Sequence, residues 1–183
     1  MSREIVFVTG SPSESSRSSY VAALVAERAK RAGFAVRVFA LRDFDPSDLL
    51  LGRPSGATTK AFVEAVTGSA AIVLSTPVYK ATYSGALKAI VDLIPPDALV
   101  GKPALGIATT RLESHGLEAD RAYRALFAFF RARPVDGLVV LDDELQWSDG
   151  QGTLAPAAHE RVETVARELV EVSGEKTRAP ASA

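Results

Sequence analysis

The 183-residue sequence contains no cysteine and only two histidines, His115 and His159. The lack of cysteine excludes disulfides, iron–sulfur clusters, cysteine-ligated zinc sites and cysteine nucleophiles, and it fits a reducing cytosol. The two histidines lie far apart in the sequence, so they do not form a histidine-rich metal site. We therefore expect no bound metal ion.

The chain also lacks an excess of charge of one sign. It contains 21 Lys and Arg residues and 22 Asp and Glu residues, which gives a net charge of −1. The chain therefore has no broad basic field to attract nucleic acid or an anionic membrane. The longest apolar stretch, residues 122–130, is interrupted by Arg124 and is too short to span a bilayer. The first residues show no signal-peptide pattern, so we expect a cytoplasmic protein without a nucleic-acid or membrane partner.

Five short apolar runs alternate with amphipathic helical patterns along the chain. The runs predict strands buried on both faces, and they span residues 5–8, 36–40, 70–75, 102–108 and 137–141. Helices are expected between the polar loop 11–18 and Gly33, and over residues 58–67, 85–93, 117–131 and 156–172. We expect Pro77 to end the third strand. Residues 45–57 are expected to be mostly loop, with a helical turn at 47–51.

This alternation predicts an α/β protein in which an open parallel sheet carries helices on both faces. Five strands favour the flavodoxin-like order 2-1-3-4-5 in a three-layer α/β/α sandwich. The length predicts one domain, residues 1–173, followed by a flexible C-terminal tail, residues 174–183. Ligands of such sheets bind beyond the carboxyl ends of the strands, so the site is expected in the loops after strands one, three and four.

The loop after the first predicted strand, residues 10–19, is rich in serine and contains one arginine, Arg17. Hydroxyls, a guanidinium group and the N-terminus of the following helix are the groups that bind phosphate. Pro12 and Ser15 stand where the dinucleotide motif needs glycine, and no Gly-Lys-Ser/Thr follows. A single arginine suits one monophosphate better than a triphosphate. The alternative is a serine-rich turn that only caps the helix.

The loop after the third predicted strand, residues 76–88, contains Pro77, Tyr79 and Tyr83. Two tyrosines and a proline at the carboxyl end of a strand can form a wall for a flat heteroaromatic ring. Gly85 permits close approach of a ligand before the next helix. The alternative is that both tyrosines are half-buried packing residues.

Together, the two loops resemble those of the NADPH-dependent FMN reductases, through a GSP start followed by SRSS and through TPVYKATYSGALKAIVDL at residues 76–93. The sequence is most similar to the branch that serves alkanesulfonate and related two-component monooxygenases, and the resemblance extends to about Asp143. It implies a flavodoxin-like fold and hydride transfer from NADPH, with NADH possible, to FMN. It also implies a flavin-dependent monooxygenase that receives the reduced flavin, and a homodimer or homotetramer.

The resemblance also implies which residues bind the cofactor, and it assigns no catalytic side chain because the flavin carries the chemistry. The FMN phosphate site would be formed by Ser11, Ser16, Arg17 and Ser18. The flavin-ring and ribityl contacts would be Pro77, Val78, Tyr79 and Lys80, with Tyr83 and Ser84 close by. The fourth loop, containing Thr109, Thr110 and Arg111, would border the ring.

Two regions are compared with the family pattern. Thr109-Thr110-Arg111 stands where family members usually have Thr-Gly-Gly, which would narrow the pocket or change the loop. Arg111 would otherwise reach a phosphate of the nicotinamide cofactor. In the sulfonate-linked branch the next helix carries a one-residue insertion that forms a π-bulge. An ungapped comparison places Arg121 at that insertion, with Tyr123 two residues further, and leaves open whether a bulge forms.

Two other functions remain open at this point: a reductase of quinone, azo or metal-ion acceptors that keeps FMN tightly bound, and a non-catalytic flavodoxin-like assembly protein. No G-x-S-x-G motif supports a serine hydrolase. His115 lies in the predicted fourth loop, and Asp142, Asp143 and Glu144 are expected to be solvated. A partly apolar face for self-association is predicted from Arg121, Arg124, Arg131 and Arg133 together with Phe127, Phe129 and Phe130.

Overall fold

The computed structural model describes residues 3–51, 56–148 and 151–175 of the chain. Its strands are β1 (Glu4–Thr9), β2 (Ala35–Ala40), β3 (Ala71–Tyr79), β4 (Thr82–Tyr83), β5 (Pro103–Thr110), β6 (Arg133–Pro134), β7 (Leu138–Leu141), β8 (Leu145–Ser148) and β9 (Gln151–Leu154). Its α-helices are α1 (Arg17–Arg31), α2 (Pro46–Leu51), α3 (Ala57–Gly68), α4 (Gly85–Val91), α5 (Glu113–Phe129) and α6 (Pro156–Gly174). Short 3₁₀ turns occupy Leu41–Asp43 and Asp142–Glu144.

The central sheet has the parallel order β2-β1-β3-β5-β7, and the short strand β6 also pairs with β5. The five predicted strands correspond to β1, β2, β3, β5 and β7, so the predicted order 2-1-3-4-5 is confirmed. Alternate residues of each strand face opposite sides. Val6 and Val8 pack in the cluster formed with α3, α4 and α5, whereas Ile5 and Phe7 pack with α1 and α6. The predicted three-layer sandwich is therefore confirmed.

Two boundaries in the sheet differ from the prediction, and both extend strands toward the carboxyl edge. The prediction that Pro77 ends the third strand is wrong, since β3 continues to Tyr79. Pro77 faces Thr109 and is the last residue of β3 that pairs with β5. Its missing N–H therefore weakens only the end of the ladder. Thr109 and Thr110 were expected in a loop but belong to β5, because β-branched residues favour extended backbone and both pair with β7.

The antiparallel hairpin β8–β9 was not predicted from the sequence. It packs on α1 through the Tyr20 and Trp147 rings, whose centroids are 5.6 Å apart, and the Tyr20 hydroxyl donates to the Gly152 carbonyl at 2.5 Å. A Cβ atom at Gly152 would lie 2.7 Å from the Tyr20 ring, so this close contact requires glycine. In the sequence, an Asp149-Gly150 dipeptide separates the two strands, and such a dipeptide is a strong hairpin signal.

The predicted self-association face on α5 is not formed as expected. Phe127 and Phe130 belong to the core, and only Phe129 is exposed, at 66%. The four arginines form ion pairs instead, Arg121 with Glu118, Arg124 with Asp120, Arg131 with Asp97 and Arg133 with Glu175. The helix is α-helical throughout residues 113–129, without a π-turn at Arg121.

The C-terminal helix α6 runs to Gly174, the first residue of the predicted tail, and Glu175 pairs with Arg133 at 3.1 Å. The rest of that tail, residues 176–183, lies outside the described residues. In the part of the chain that the structure describes, no helix is both long enough and apolar enough to cross a membrane.

Candidate functional site

Three segments meet at the carboxyl edge of the sheet, where the chain leaves the neighbouring strands β1, β3 and β5. They are the serine-rich loop before α1, the β3–β4 hairpin and the turn at Arg111. Adjacent strands lie about 4.8 Å apart, so the three segments are side by side. The chain passes from β1 to β2 on one side and to β3 on the other, which makes this edge the topological switch point where such sheets bind ligands.

The N-terminus of α1 is built from Ser16, Arg17 and Ser18. Ser16 caps the helix, its Oγ accepts from the Ser19 N–H at 3.3 Å, and the Ser16 and Ser18 hydroxyls are 3.0 Å apart. Both serines are buried. Arg17 forms no ion pair with any carboxylate of the described residues, and its Nε is buried without a hydrogen-bond partner. A buried donor without a partner costs about 1–3 kcal/mol, so this arrangement favours an anionic ligand.

A second pair of hydroxyls lies beneath this loop and was not singled out from the sequence. Thr9 and Ser75 are paired across β1 and β3, and both are buried. Strand alternation places them on the side of the sheet that carries α1, with Phe7 and Val73. The Ser75 Oγ has no hydrogen-bond partner. Unpartnered donors at both Arg17 and Ser75, next to a helix N-terminus, fit a phosphate group.

Ser11, the first predicted phosphate residue, is half-buried, and its Oγ accepts from the Ser13 N–H at 3.2 Å. This bond shapes the loop before α1. The structure thus brings all four predicted phosphate residues into one loop and the first turn of one helix.

The β3–β4 hairpin presents Tyr79 and Lys80 at its tip. Val78 pairs with Tyr83 and Tyr79 with Thr82, so the connection has only two residues. Lys80 has φ 53° and Ala81 has φ 64°, which is the type I′ combination that favours Asn-Gly. Each non-glycine residue in this conformation costs about 1–2 kcal/mol. Such strain is typical of functional loops, and Tyr79, next to this turn, is 49% exposed at the edge of the site.

Tyr83 is held in a row of aromatic rings. Its ring centroid is 5.6 Å from that of Tyr123, which stacks on Phe127 at 5.8 Å. The Tyr123 hydroxyl donates to the Ile107 carbonyl at 3.2 Å, and burial raises the pKa of Tyr123 well above its usual value. A Cβ at Gly106 would collide with the Tyr123 ring. Tyr83 is thus half-buried and packed, as the alternative interpretation proposed, whereas Tyr79 is free to contact a ligand.

Ser84 is buried and connects two loops of the site. Its Oγ donates to the Gly10 carbonyl at 2.6 Å and accepts from the Leu87 N–H at 3.0 Å. Its own N–H donates to the Thr76 Oγ1 at 2.9 Å. A Cβ at Gly10 would lie 2.4 Å from the Leu87 Cβ, so the first loop rests directly on α4. These bonds hold the two loops together, and the proximity of Ser84 to the flavin stays a prediction.

The fourth loop is shorter than the sequence suggested. Thr109 and Thr110 are each only 6% exposed, and the Thr110 Oγ1 donates to the Leu112 carbonyl at 3.3 Å. Arg111 is exposed and forms no ion pair with the described carboxylates. Lys80 likewise lacks such a pair. The open side of the site therefore carries two free cations.

The remaining polar residues singled out from the sequence are His115 and the acidic residues 142–144. His115 is half-buried in the first turn of α5. Burial acts to raise the pKa of Glu144, but the Leu141 N–H and the Arg161 guanidinium outweigh it and lower that pKa. Among the residues of known placement, no group of three or more His, Cys, Asp and Glu side chains is arranged to hold a metal ion.

Comparison with known proteins gives consistent matches. Residues 3–146 match the family described as NADPH-dependent FMN reductase. A relative named FMN reductase (NADPH) from Escherichia coli (strain K12) is 35% identical over 139 residues, which cover 76% of this chain and 73% of the relative. The protein of the same name from Pseudomonas putida (strain KT2440) is 34% identical over 161 residues, or 86% and 82% of the two chains. The solved apo structure of an NADH:FMN oxidoreductase, EmoB, has a TM-score of 0.78 at 29% identity, covering 96% of this chain and 93% of that one.

Proposed function

Because the chain belongs to the NADPH-dependent FMN reductase family, we infer that it is a flavin reductase that transfers a hydride from NAD(P)H to FMN. The observation that carries this inference is the unpartnered Arg17 Nε at the capped N-terminus of α1. The buried hydroxyls around it complete a donor set for one phosphate monoester. Residues and cofactor therefore fit each other.

Bound FMN supplies the hydride acceptor, so the protein itself contributes binding and orientation. In this proposal, Ser11, Ser16, Arg17 and Ser18 hold the phosphate. Pro77, Val78, Tyr79 and Lys80 lie along the flavin ring and ribityl chain, with Tyr83 supporting the hairpin from behind. Backbone N–H groups after β3 and β5 stabilise negative charge that develops on the ring.

The two cations at the open side of the site offer a binding place for the nicotinamide nucleotide. Arg111 and Lys80 follow neighbouring strands and have no carboxylate partner among the described residues, so they are available to phosphates of NADPH or NADH. In this proposal Arg111 contacts the nicotinamide nucleotide and not the flavin. Thr109 and Thr110 are buried as part of β5, so Arg111 is the exposed residue of this segment.

We further propose that the reduced flavin passes to a flavin-dependent monooxygenase and that the protein works in the cytoplasm as a homodimer or homotetramer. The exposure of Tyr79 supports a flavin that exchanges readily. The alternative reductase, which keeps FMN tightly bound, would need a more enclosed ring site. The non-catalytic alternative requires Thr110 and Arg111 to block the pocket. Thr110 is buried in β5, so only Arg111 is exposed to do so.

The test is NADPH and NADH oxidation by protein freed of flavin on gel filtration, with and without added FMN. Oxidation that appears only on addition of FMN and saturates with it supports a reductase that uses flavin as a substrate. Flavin that stays with the protein through the column would support the tightly bound alternative. Absence of oxidation with either nucleotide would overturn the proposed activity.

A further inference from the structure

A cavity of about 300 Å³ lies at the amino edge of the sheet, opposite the edge that carries the proposed flavin site. It adjoins the first residues of β1, β3 and β5 and the last turn of α6. Its polar lining includes Arg3, Lys102 and Ser173, and its apolar lining includes Phe34, Val100 and Val172. This volume is at the lower end of the range of about 300–1,000 Å³ that is typical of small-molecule sites.

Arg3 and Lys102 reach the cavity from opposite faces of the sheet. The Arg3 guanidinium donates to the Ala32 carbonyl at the end of α1 at 3.3 Å and lies over the Phe34 ring, 5.1 Å from its centroid. The Lys102 Nζ donates to two carbonyls in the last turn of α3, at 2.6 and 2.9 Å. Because β3 lies between β1 and β5, a ligand that contacts both cations sits at the start of β3.

These bonds use only part of the donors that the two cations carry. Arg3 donates to one carbonyl and Lys102 to two, and a guanidinium or ammonium group has more N–H donors than that. Neither side chain forms an ion pair with a carboxylate of the described residues. The Ser173 Oγ is buried and has no hydrogen-bond partner. The cavity therefore has an excess of donors and suits a ligand that accepts several hydrogen bonds.

The charges around the cavity favour an anionic ligand. Among the described residues that line it, only Glu175 carries a carboxylate, and Arg133 pairs with that carboxylate at 3.1 Å. The ends of α1, α3 and α6 carry partial negative charge, and Arg3, Lys102 and Arg133 each donate to carbonyls there. Burial lowers the pKa of Lys102, because its ammonium group has lost part of its hydration. A bound anion would offset that loss.

We propose that this cavity binds a small organic carboxylate, whose carboxylate group lies between Arg3 and Lys102. Its apolar body lies against Phe34, Val100 and Val172. A carboxylate accepts several hydrogen bonds at once, and its charge-assisted bonds to a guanidinium group are stronger than bonds between neutral groups. An apolar body removes the apolar lining from water, which inorganic phosphate cannot do. The site is independent of the flavin function, because it lies at the other edge of the sheet.

The test is calorimetric titration of the full chain with benzoate as the probe, which is expected to bind in a saturable way. Arg3→Gln and Lys102→Gln each remove one charge and are expected to raise the benzoate dissociation constant about tenfold. Ser173→Ala removes a neutral donor and is expected to raise it about threefold. Arg121→Gln makes the same change at an exposed arginine of α5 and is the matched control, which should leave it unchanged.

The melting temperature without ligand shows whether each variant folds. Lys102 also bonds to α3, so Lys102→Gln is the variant that loses stability. Arg3 is exposed, and glutamine can still donate to the Ala32 carbonyl, so Arg3→Gln keeps the test decisive.

Benzoate binding that Arg3→Gln and Lys102→Gln weaken and Arg121→Gln does not would support the site. Lack of binding, or binding that neither cavity variant changes, would overturn it. Inorganic phosphate that binds as tightly as benzoate would overturn the assignment to a carboxylate with an apolar body. Competitive displacement of benzoate by FMN would place the probe in the flavin site and would overturn the proposal as well.

Discussion

Replacing Arg17 with alanine tests the phosphate site most specifically. The Arg17 guanidinium has no ion pair among the described residues, and its Nε has no hydrogen-bond partner, so the free protein loses no internal bond in Arg17→Ala. A hydrogen bond to a charged group contributes about 1.5–3 kcal/mol. At about 1.4 kcal/mol per tenfold change, the FMN dissociation constant should rise between about tenfold and a hundredfold. Because the variant also removes a buried donor without a partner, the melting temperature without ligand should not fall.

The assay is calorimetric titration with FMN and with riboflavin, which has the same ring but no phosphate. Arg17→Ala should weaken FMN and leave riboflavin nearly unaffected. Arg31→Ala, at the exposed C-terminal end of the same helix, is the matched control and should change neither affinity. An unchanged FMN affinity would remove Arg17 from the site, and an equal loss for riboflavin would place its effect on the ring instead of the phosphate.

Three further variants test the loop connection at Ser84, the β3–β4 turn and the open side of the site. Ser84→Ala removes the helix cap and the bond to the Gly10 carbonyl, and should lower the free energy of unfolding in urea by about 1–3 kcal/mol; a loss under about 0.5 kcal/mol would contradict the loop connection. Ala81→Gly relieves a positive φ and should raise the free energy of unfolding by about 1 kcal/mol, whereas destabilisation would show that the turn is not strained. Arg111→Ala should raise the KM for NADPH several-fold in steady-state assays without weakening FMN binding; the opposite pattern would assign Arg111 to the flavin.

The sheet was predictable because its strands are buried on both faces. Runs such as residues 5–8 and 70–75 are continuously apolar, and this pattern is specific to parallel strands covered by helices. The end of β3 was harder to predict, because Pro77 is a strand breaker in general but a tolerated residue at the last position of a ladder. The β8–β9 hairpin has a turn signal but little hydrophobic content, and its stability depends on the distant Tyr20.

The phosphate loop was predictable from its local composition, since Ser16, Arg17 and Ser18 are consecutive residues at one helix end. Contacts between distant segments were not. The bond from Ser84 to Gly10 joins residues 74 positions apart, so no local pattern separates a ligand contact from a structural link. The buried hydroxyl of Ser75 looks like an ordinary strand residue until its missing partner is seen.

Contacts between distant segments also decide which aromatic residues of α5 are exposed. The arrangement of Phe127, Phe129 and Phe130 predicts an apolar face, but two of the three phenylalanines lie in the core. Tyr123 of the same helix packs directly on Gly106 of β5. A sequence gives the spacing of such residues along a helix. It does not give the helix rotation, which is set by contacts with β5.

Hydride transfer from NAD(P)H to FMN by this protein is measured most directly as the anaerobic reduction of FMN. FMN is present in large excess over a catalytic amount of protein and is mixed with one equivalent of NADPH or NADH per FMN. The visible absorbance of the oxidised flavin is then followed. Bleaching is expected at a rate proportional to the protein concentration, and Arg17→Ala should strongly reduce this rate when the FMN concentration is limiting. A rate no greater than that without protein, with both nucleotides, would contradict the proposed hydride transfer.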